Sequence, residues 1–247
     1  MSWVSGKVTI ASLQQMKRDG RKIVGVVVYD YQMARIVDHA GVDIVSVGDS
    51  VGVNMWGHVS EGDVTLDQMV LACTAVRRGV SRALVSCDVP GSADPVGAAR
   101  VLVGSGGADM VKVEADSATV RAIVASGITV WAQLSGQEAG GRGQEIAVLV
   151  DQAKRLEAAG ASLLDFRHSG PEAGPAVARA VSIPVIGGLG GGPWLDGRVR
   201  AVVNAIGYSA AALDDTADRY ANVARVALEA IATYADDVRG GRQVRGK

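Results

Sequence analysis

Three acidic side chains close three successive apolar, β-rich runs of this 247-residue chain: Asp49 ends "DIVSVGD", Asp88 ends "RALVSCD" and Glu114 ends "ADMVKVE". A chain leaving a strand ordinarily turns through Gly, Asn or Ser, with an occasional acid capping the next helix. Carboxylates gathered at one end of a sheet repel one another and resist desolvation unless a cation sits among them. Hard oxygen ligands of this kind suit Mg²⁺, which keeps several waters and takes further oxygens from a substrate. Lys112 stands two residues before Glu114, on the same face of its run. The chain holds six Lys against nineteen Arg. A Lys directed into a core needs an anionic partner, either a carboxylate or an acidic substrate. A cation and an ammonium side by side would hold a 2-oxo acid and polarise its keto group for enolate formation.

The run "ASLLDFRHSG" (161–170) raises a second question, because Asp165 and Arg167 lie two residues apart and so share one strand face. In one reading they form a buried ion pair that fills the interior. In the other, the Arg167 fork receives a carboxylate or phosphate from a substrate. Alternation points His168 to the opposite side; with Glu172 and Glu138 it makes up the nearby groups able to exchange a proton.

These side chains need a scaffold that brings many strand ends together. Strand-like runs recur at 22–29, 43–49, 82–88, 108–114, 127–134, 161–167, 183–188 and 203–209. Between them, segments such as "YQMARIVDHAG", "TLDQMVLACTAVRRG", "DPVGAARVLVGSGG", "EIAVLVDQAKRLEAAG" and "EAGPAVARAV" carry apolar residues at helical spacing, several ending in Gly. This continuous alternation predicts an α/β fold, a (β/α)₈ TIM barrel forming one domain over 1–247. An extra helix, "SLQQMKRDG", precedes it, and a long helix over about 215–238 closes it. An open doubly wound sheet fits less well, since no Gly-rich dinucleotide fingerprint follows the first strand. In a barrel of this kind chemistry sits at the C-terminal strand ends. Those ends present Tyr29 and Asp30, Asp49 and Ser50, Asp88, Lys112 and Glu114, Gln133, Arg167, and Asn204 with Tyr208.

Composition removes several function classes. A formal charge of −1, with scattered basic residues, offers no stripe for nucleic acid. Charges interrupt every apolar run before it reaches bilayer length, and the first twenty residues lack a signal-peptide pattern, so a cytoplasmic protein without a membrane partner is expected. Cys73 and Cys87 are too few for a disulfide framework and are expected to be reduced packing residues.

The segments "YDYQMARIVDHAGVDIVSVGDSVGVNMWGH", "VTLDQMVLACTAVRRG", "GADMVKVE" and "IPVIGGLGGG" resemble the ketopantoate hydroxymethyltransferase family over nearly the whole chain. The resemblance implies a barrel of the phosphoenolpyruvate mutase/isocitrate lyase superfamily and a homo-oligomer, possibly a decamer. It implies Asp49 and Asp88 as ligands of Mg²⁺ or another divalent cation, with Glu114 joining them. It also implies Ser50 and Lys112 on the carboxylate of a small-molecule 2-oxo acid, and methylene-tetrahydrofolate as co-substrate. The chain departs from the family's pattern where a Glu at the end of the sixth strand would remove the proton beside the keto group. Arg167 aligns there, and an arginine keeps its proton at any working pH. Gln133 stands where the family carries a His, and the following loop is shortened to "SGQEAGGRG". The catalytic candidates are therefore Lys112, Arg167 and His168, with Ser50, Lys112, Gln133 and Arg167 binding substrate. His58, Trp56 and Trp194, and the amides of "GGLGGG" (187–192), are weaker candidates for the ligand surface.

The expectation is an enzyme that enolises a 2-oxo acid and transfers a hydroxymethyl unit to it, on an acceptor outside the standard pathway. The alternatives are a metal-dependent lyase or decarboxylase of an oxo-dicarboxylic acid, and a non-catalytic ligand-binding paralogue. Against the last stands the electrostatic cost of an idle site that keeps three facing carboxylates.

Overall fold

The computed structural model describes residues 6–91, 94–114, 116–135, 145–188 and 191–242. Short runs rich in β-branched residues form β1 (Ile23–Val27), β2 (Ile44–Val47), β3 (Leu84–Asp88), β4 (Met110–Val113), β5 (Val130–Ser135), β6 (Leu163–Arg167), β7 (Val185–Gly187) and β8 (Gly197–Ala201). They join in chain order as a closed parallel barrel, and helices alternate with them: a (β/α)₈ TIM barrel. Strands β2 and β3 are buried on both faces, as expected where helices cover the outside.

The helices are α1 (Ile10–Arg18), α2 (Tyr31–His39), α3 (Leu66–Gly79), α4 (Pro95–Gly104), α5 (Ser117–Ala125), α6 (Ile146–Ala158), α7 (Ala173–Ala180), α8 (Val202–Ala205) and α9 (Val223–Arg239). Their starts are written locally. Thr9 and Thr65 form capping boxes with Ser12 and Gln68, and Asp30, Asp94 and Asp116 each accept an amide hydrogen of the first turn. Asp30, although it follows a strand, is thus committed to α2, its Oδ1 accepting from the Met33 amide at 2.9 Å.

The chain divides into two compact units, Met1–Arg200 and Ala201–Lys247. Within the first, the N-terminal strand ends form an apolar floor of Ile23, Ile44, Leu84, Met110, Trp131, Leu163, Ile186 and Val199, packed with Val8, Leu13 and Met16. Helix α1 therefore plugs the floor. Lys17 fastens it there, donating to the carbonyls of Ala178 and Ile183 at 2.8 Å each and pairing with Asp196 at 3.0 Å.

The eighth strand is not 203–209 but Gly197–Ala201, "GRVRA". Its two arginines disguise a period-2 strand, with Gly197 and Val199 buried and Arg198 and Arg200 exposed. Gly197 is required for closure, because a Cβ there would stand 2.2 Å from the Ile23 carbonyl oxygen. The expected strand instead forms α8 and a turn at Gly207, whose φ is +64°. The final helix also starts later than expected, at Val223, capped by the Asn222 side chain. Upstream of it, the Asp215 carboxylate takes the Ala217 amide, a local bond that competes with helix formation. Helix α9 has no buried residue and exposes Val226, Leu228, Ile231, Tyr234 and Val238. Cys73 and Cys87 are free and buried, and burial pushes the Cys87 thiol up. No helix among the described residues is long and apolar enough to cross a membrane.

Candidate active site

Above the floor, the inward face of each strand changes character. Lys112 of β4 is in register with Asp88 of β3 and sends its Nζ to within 2.9 Å of Asp88 Oδ2 and 3.9 Å of Asp165 Oδ2. The three side chains are largely buried, with relative exposures of 15% for Lys112, 11% for Asp88 and 3% for Asp165. Trp131, on the neighbouring strand, puts its ring 5.8 Å from the ammonium. Asp165 Oδ1 accepts from the Gly188 amide at 3.1 Å, so both of its oxygens are engaged. The amide expected to cradle a foreign anion thus serves an internal carboxylate. Of the remaining "GGLGGG" residues, Leu189 and Gly190 lie outside the described set.

Burial pushes the Asp88 carboxyl up to about 6; Asp49 and Asp165 add to that rise while Lys112 opposes it. Burial pulls the Lys112 ammonium down, but Asp88 and then Asp165 and Asp49 outweigh it and hold the group above its ordinary value. Lys112 therefore remains charged, and Asp88 is the group poised to change state.

Asp88 Oδ1 is buried and has no hydrogen-bond partner among the described residues. Such an atom is costly in an apolar interior and marks a place for a cation or a water. A Cβ on Gly48 would lie 3.8 Å from Asp88 Oδ2 and 2.9 Å from Ser50 Oγ, so the backbone entering Asp49 runs close to the Asp88 carboxylate. The Asp49 side chain caps no helix among the described residues, since the turn that follows it lacks a side-chain cap. Glu114 does not neutralise Lys112; its Oε2 accepts from Gln133 Nε2 at 2.8 Å. No three His, Cys, Asp or Glu side chains among the described residues converge as a complete metal cage. The bare oxygen of Asp88, with the charge of Asp49 acting on it, is of the kind a hard divalent cation takes together with waters and substrate oxygens. On these grounds the residues suit the group.

Ser50 belongs to a network that sequence reasoning saw only in part. Its Oγ lies 3.0 Å from the Tyr29 hydroxyl, and Asn54 Nδ2 donates to that hydroxyl at 3.2 Å and to the Ser50 carbonyl at 2.8 Å. Burial raises the Tyr29 phenol, keeping it neutral and able to donate. A π-helical turn over Gly52–Trp56 brings Asn54 back over Ser50, a geometry for which "GVNMW" gives no sequence signal.

At the end of β6, Arg167 does not pair with Asp165, and no ion pair or side-chain hydrogen bond holds its guanidinium among the described residues. Asp165 is held instead by Lys112 and Gly188, through contacts across strands that sequence spacing cannot reveal. His168 follows with φ at +53°, the sole non-glycine residue in the left-handed region among those described, and is exposed. Backbone held there is strained and recurs at functional sites. Trp194 donates to the buried Ser169 at 2.9 Å, which commits it to the protein rather than to a ligand. Trp56 is half exposed, with its ring 5.8 Å from that of His58. Glu172 precedes α7 without a side-chain cap, and Glu138 lies outside the described residues. Asn204 and Tyr208 do not end a strand; Asn204 is in α8, Tyr208 follows it, and both are exposed.

A family model described as ketopantoate hydroxymethyltransferase matches residues 7–243. A 3-methyl-2-oxobutanoate hydroxymethyltransferase of Prosthecochloris aestuarii is 35% identical, over 95% of this chain and 93% of its own. One from Hyperthermus butylicus is 33% identical, over 96% and 88%. Among solved structures, phosphonopyruvate hydrolase in complex with oxalate and Mg²⁺ superposes with a TM-score of 0.65 at 16% identity, over 95% of this chain and 88% of that one. A 2,3-dimethylmalate lyase of the PEP mutase/isocitrate lyase superfamily gives 0.63 at 17%, over 96% and 90%. The two solved structures share the fold.

Proposed function

The chain belongs to the ketopantoate hydroxymethyltransferase family, a family of transferases, and from that premise we propose that it enolises a 2-oxo acid and adds to it a hydroxymethyl unit drawn from methylene-tetrahydrofolate. Membership of a family of transferases bears out the expectation of an enzyme over the alternative of a non-catalytic paralogue. The observation that carries the proposal is the buried Asp88–Lys112–Asp165 array with its bare Asp88 oxygen, on which the charge of Asp49 also acts.

In this reading Asp49 and Asp88 hold a divalent cation, with Glu114 completing its surroundings. When bound, the cation supplies Lewis acidity to a keto oxygen. Lys112 and Ser50 orient the carboxylate of the oxo acid. Lys112 is suited to that task because its charge persists despite burial. Ser50 is suited because Tyr29 and Asn54 fix it in place. Gln133 steadies Glu114. The proton beside the keto group goes to His168, the histidine that the left-handed turn sets just past Arg167. A neutral imidazole has a nitrogen that can accept a proton, which the guanidinium before it has not. The acceptor is an oxo acid other than 3-methyl-2-oxobutanoate, because an arginine stands where a base is expected.

Purified protein with Mg²⁺ in deuterated water should exchange the hydrogen beside the keto group of a 2-oxo acid, followed by proton NMR. With methylene-tetrahydrofolate added, the same acid should gain a hydroxymethyl group by mass spectrometry. Absence of exchange across a panel of oxo acids would refute the proposal.

A further inference from the structure

We infer that the oxo acid taken by this site carries a second oxyanion group, a carboxylate or a phosphonate, received by Arg167. The inference rests on the oxo-acid reading above and specifies its substrate class.

Three observations carry it. First, alternation along β6 is anchored at both lower levels, since Leu163 belongs to the floor cluster and Asp165 meets Lys112 inside the barrel. Arg167 therefore leaves the backbone on the same inward face, at the mouth. The residues between them, Leu164 and Phe166, are fully buried on the opposite, helix-facing side.

Second, the neighbouring acids are already engaged. Both Asp165 oxygens are taken, by the Gly188 amide and by Lys112, and Glu114 Oε2 is taken by Gln133. Lys112 in turn is held by Asp88 at 2.9 Å, which leaves it little capacity for more than one substrate carboxylate. Arg167 is a half-buried guanidinium without an internal counter-charge among the described residues. Its planar fork matches an oxyanion bidentately, a task for which lysine is less suited.

Third, β6 stands three strands round the barrel from β3, which carries Asp88. A group bound at Arg167 is thus held from a strand other than those that carry Asp88 and Lys112, so it is a second anionic group and not the carboxylate beside the keto carbon.

The test compares deuterium exchange beside the keto group for 2-oxobutyrate, 3-methyl-2-oxobutanoate, 2-oxoglutarate, 2-oxoadipate and 2-oxo-4-phosphonobutanoate, with the full-length chain and Mg²⁺. The wild type should prefer the doubly anionic compounds by about a hundredfold in kcat/KM, the size of a charge-assisted bidentate contact. Arg167→Gln should bring the two classes to within about threefold of each other, chiefly by raising KM for the doubly anionic acids. Arg167→Lys should recover part of the preference, and circular dichroism should show both variants folded. Faster exchange of the phosphonate than of 2-oxoglutarate would identify a phosphonate arm, and the reverse order a carboxylate. Equal or faster exchange of the singly charged acids by the wild type would overturn the inference alone. So would a preference that survives in folded Arg167→Gln. Exchange of none of the five would overturn the oxo-acid reading beneath it.

Discussion

On β3, β4 and β6 the floor and the mouth of the barrel share one inward face, yet Leu84, Met110 and Leu163 give way to Asp88, Lys112 and Asp165 within a few residues. The floor is sealed by α1, which Lys17 fastens at its edge, and its own residues are apolar side chains held by close packing. The mouth is held by charge: an ammonium balanced by carboxylates, one of whose oxygens has no internal partner. The difference shows how a barrel divides its labour along its axis. Apolar burial fixes the strands at one end, and that rigidity allows costly charges to be kept close together at the other.

Removing the balancing cation should strain that division most. Lys112→Met leaves Asp88 and Asp165 buried without a counter-charge, and is expected to lower stability by roughly 3–5 kcal/mol in chemical denaturation as well as to abolish exchange. A midpoint equal to wild type would mean that the mouth tolerates its charges unaided. Cutting into the floor should separate the two ends cleanly. Leu163→Ala is expected to lose about 3 kcal/mol by opening a cavity, while the KM for an oxo acid changes by less than about threefold. A large KM change would show that floor and mouth are coupled.

Acidity acts more gently and on the mouth alone. Burial raises the Asp88 carboxyl to about 6, above its value in an unfolded chain, so the folded protein holds that proton more tightly. The apo protein should therefore lose stability from this group as pH rises from about 4 through 6. A cation needs the ionised form, so its affinity should fall about tenfold per pH unit below 6. Thermal melts with and without Mg²⁺ check this: the cation should raise the midpoint more at pH 7 than at pH 5.

The strand order and seven of the eight strands were legible because alternation and helical spacing are local properties. The eighth strand was not, since Arg198 and Arg200 hide its period while the apolar "VNAIGYS" imitates a strand. At the mouth, the positions of Asp49, Asp88, Lys112 and Glu114 at strand ends could be read from the chain. Their partners could not. That Asp165 turns to Lys112 rather than Arg167, and Glu114 to Gln133, follows from register between strands distant in sequence. Asn54 gave no signal because a π-helical turn, rather than a strand end, delivers it.

Whether the mouth holds a divalent cation between β2 and β3 is tested most directly by titrating Mn²⁺ into the wild type, Asp49→Asn and Asp88→Asn, with free metal counted by electron paramagnetic resonance. One bound ion per wild-type chain is expected, weakened at least a hundredfold in each folded variant, as loss of a charged ligand requires. Binding of equal strength in all three proteins, or none in the wild type, would contradict it.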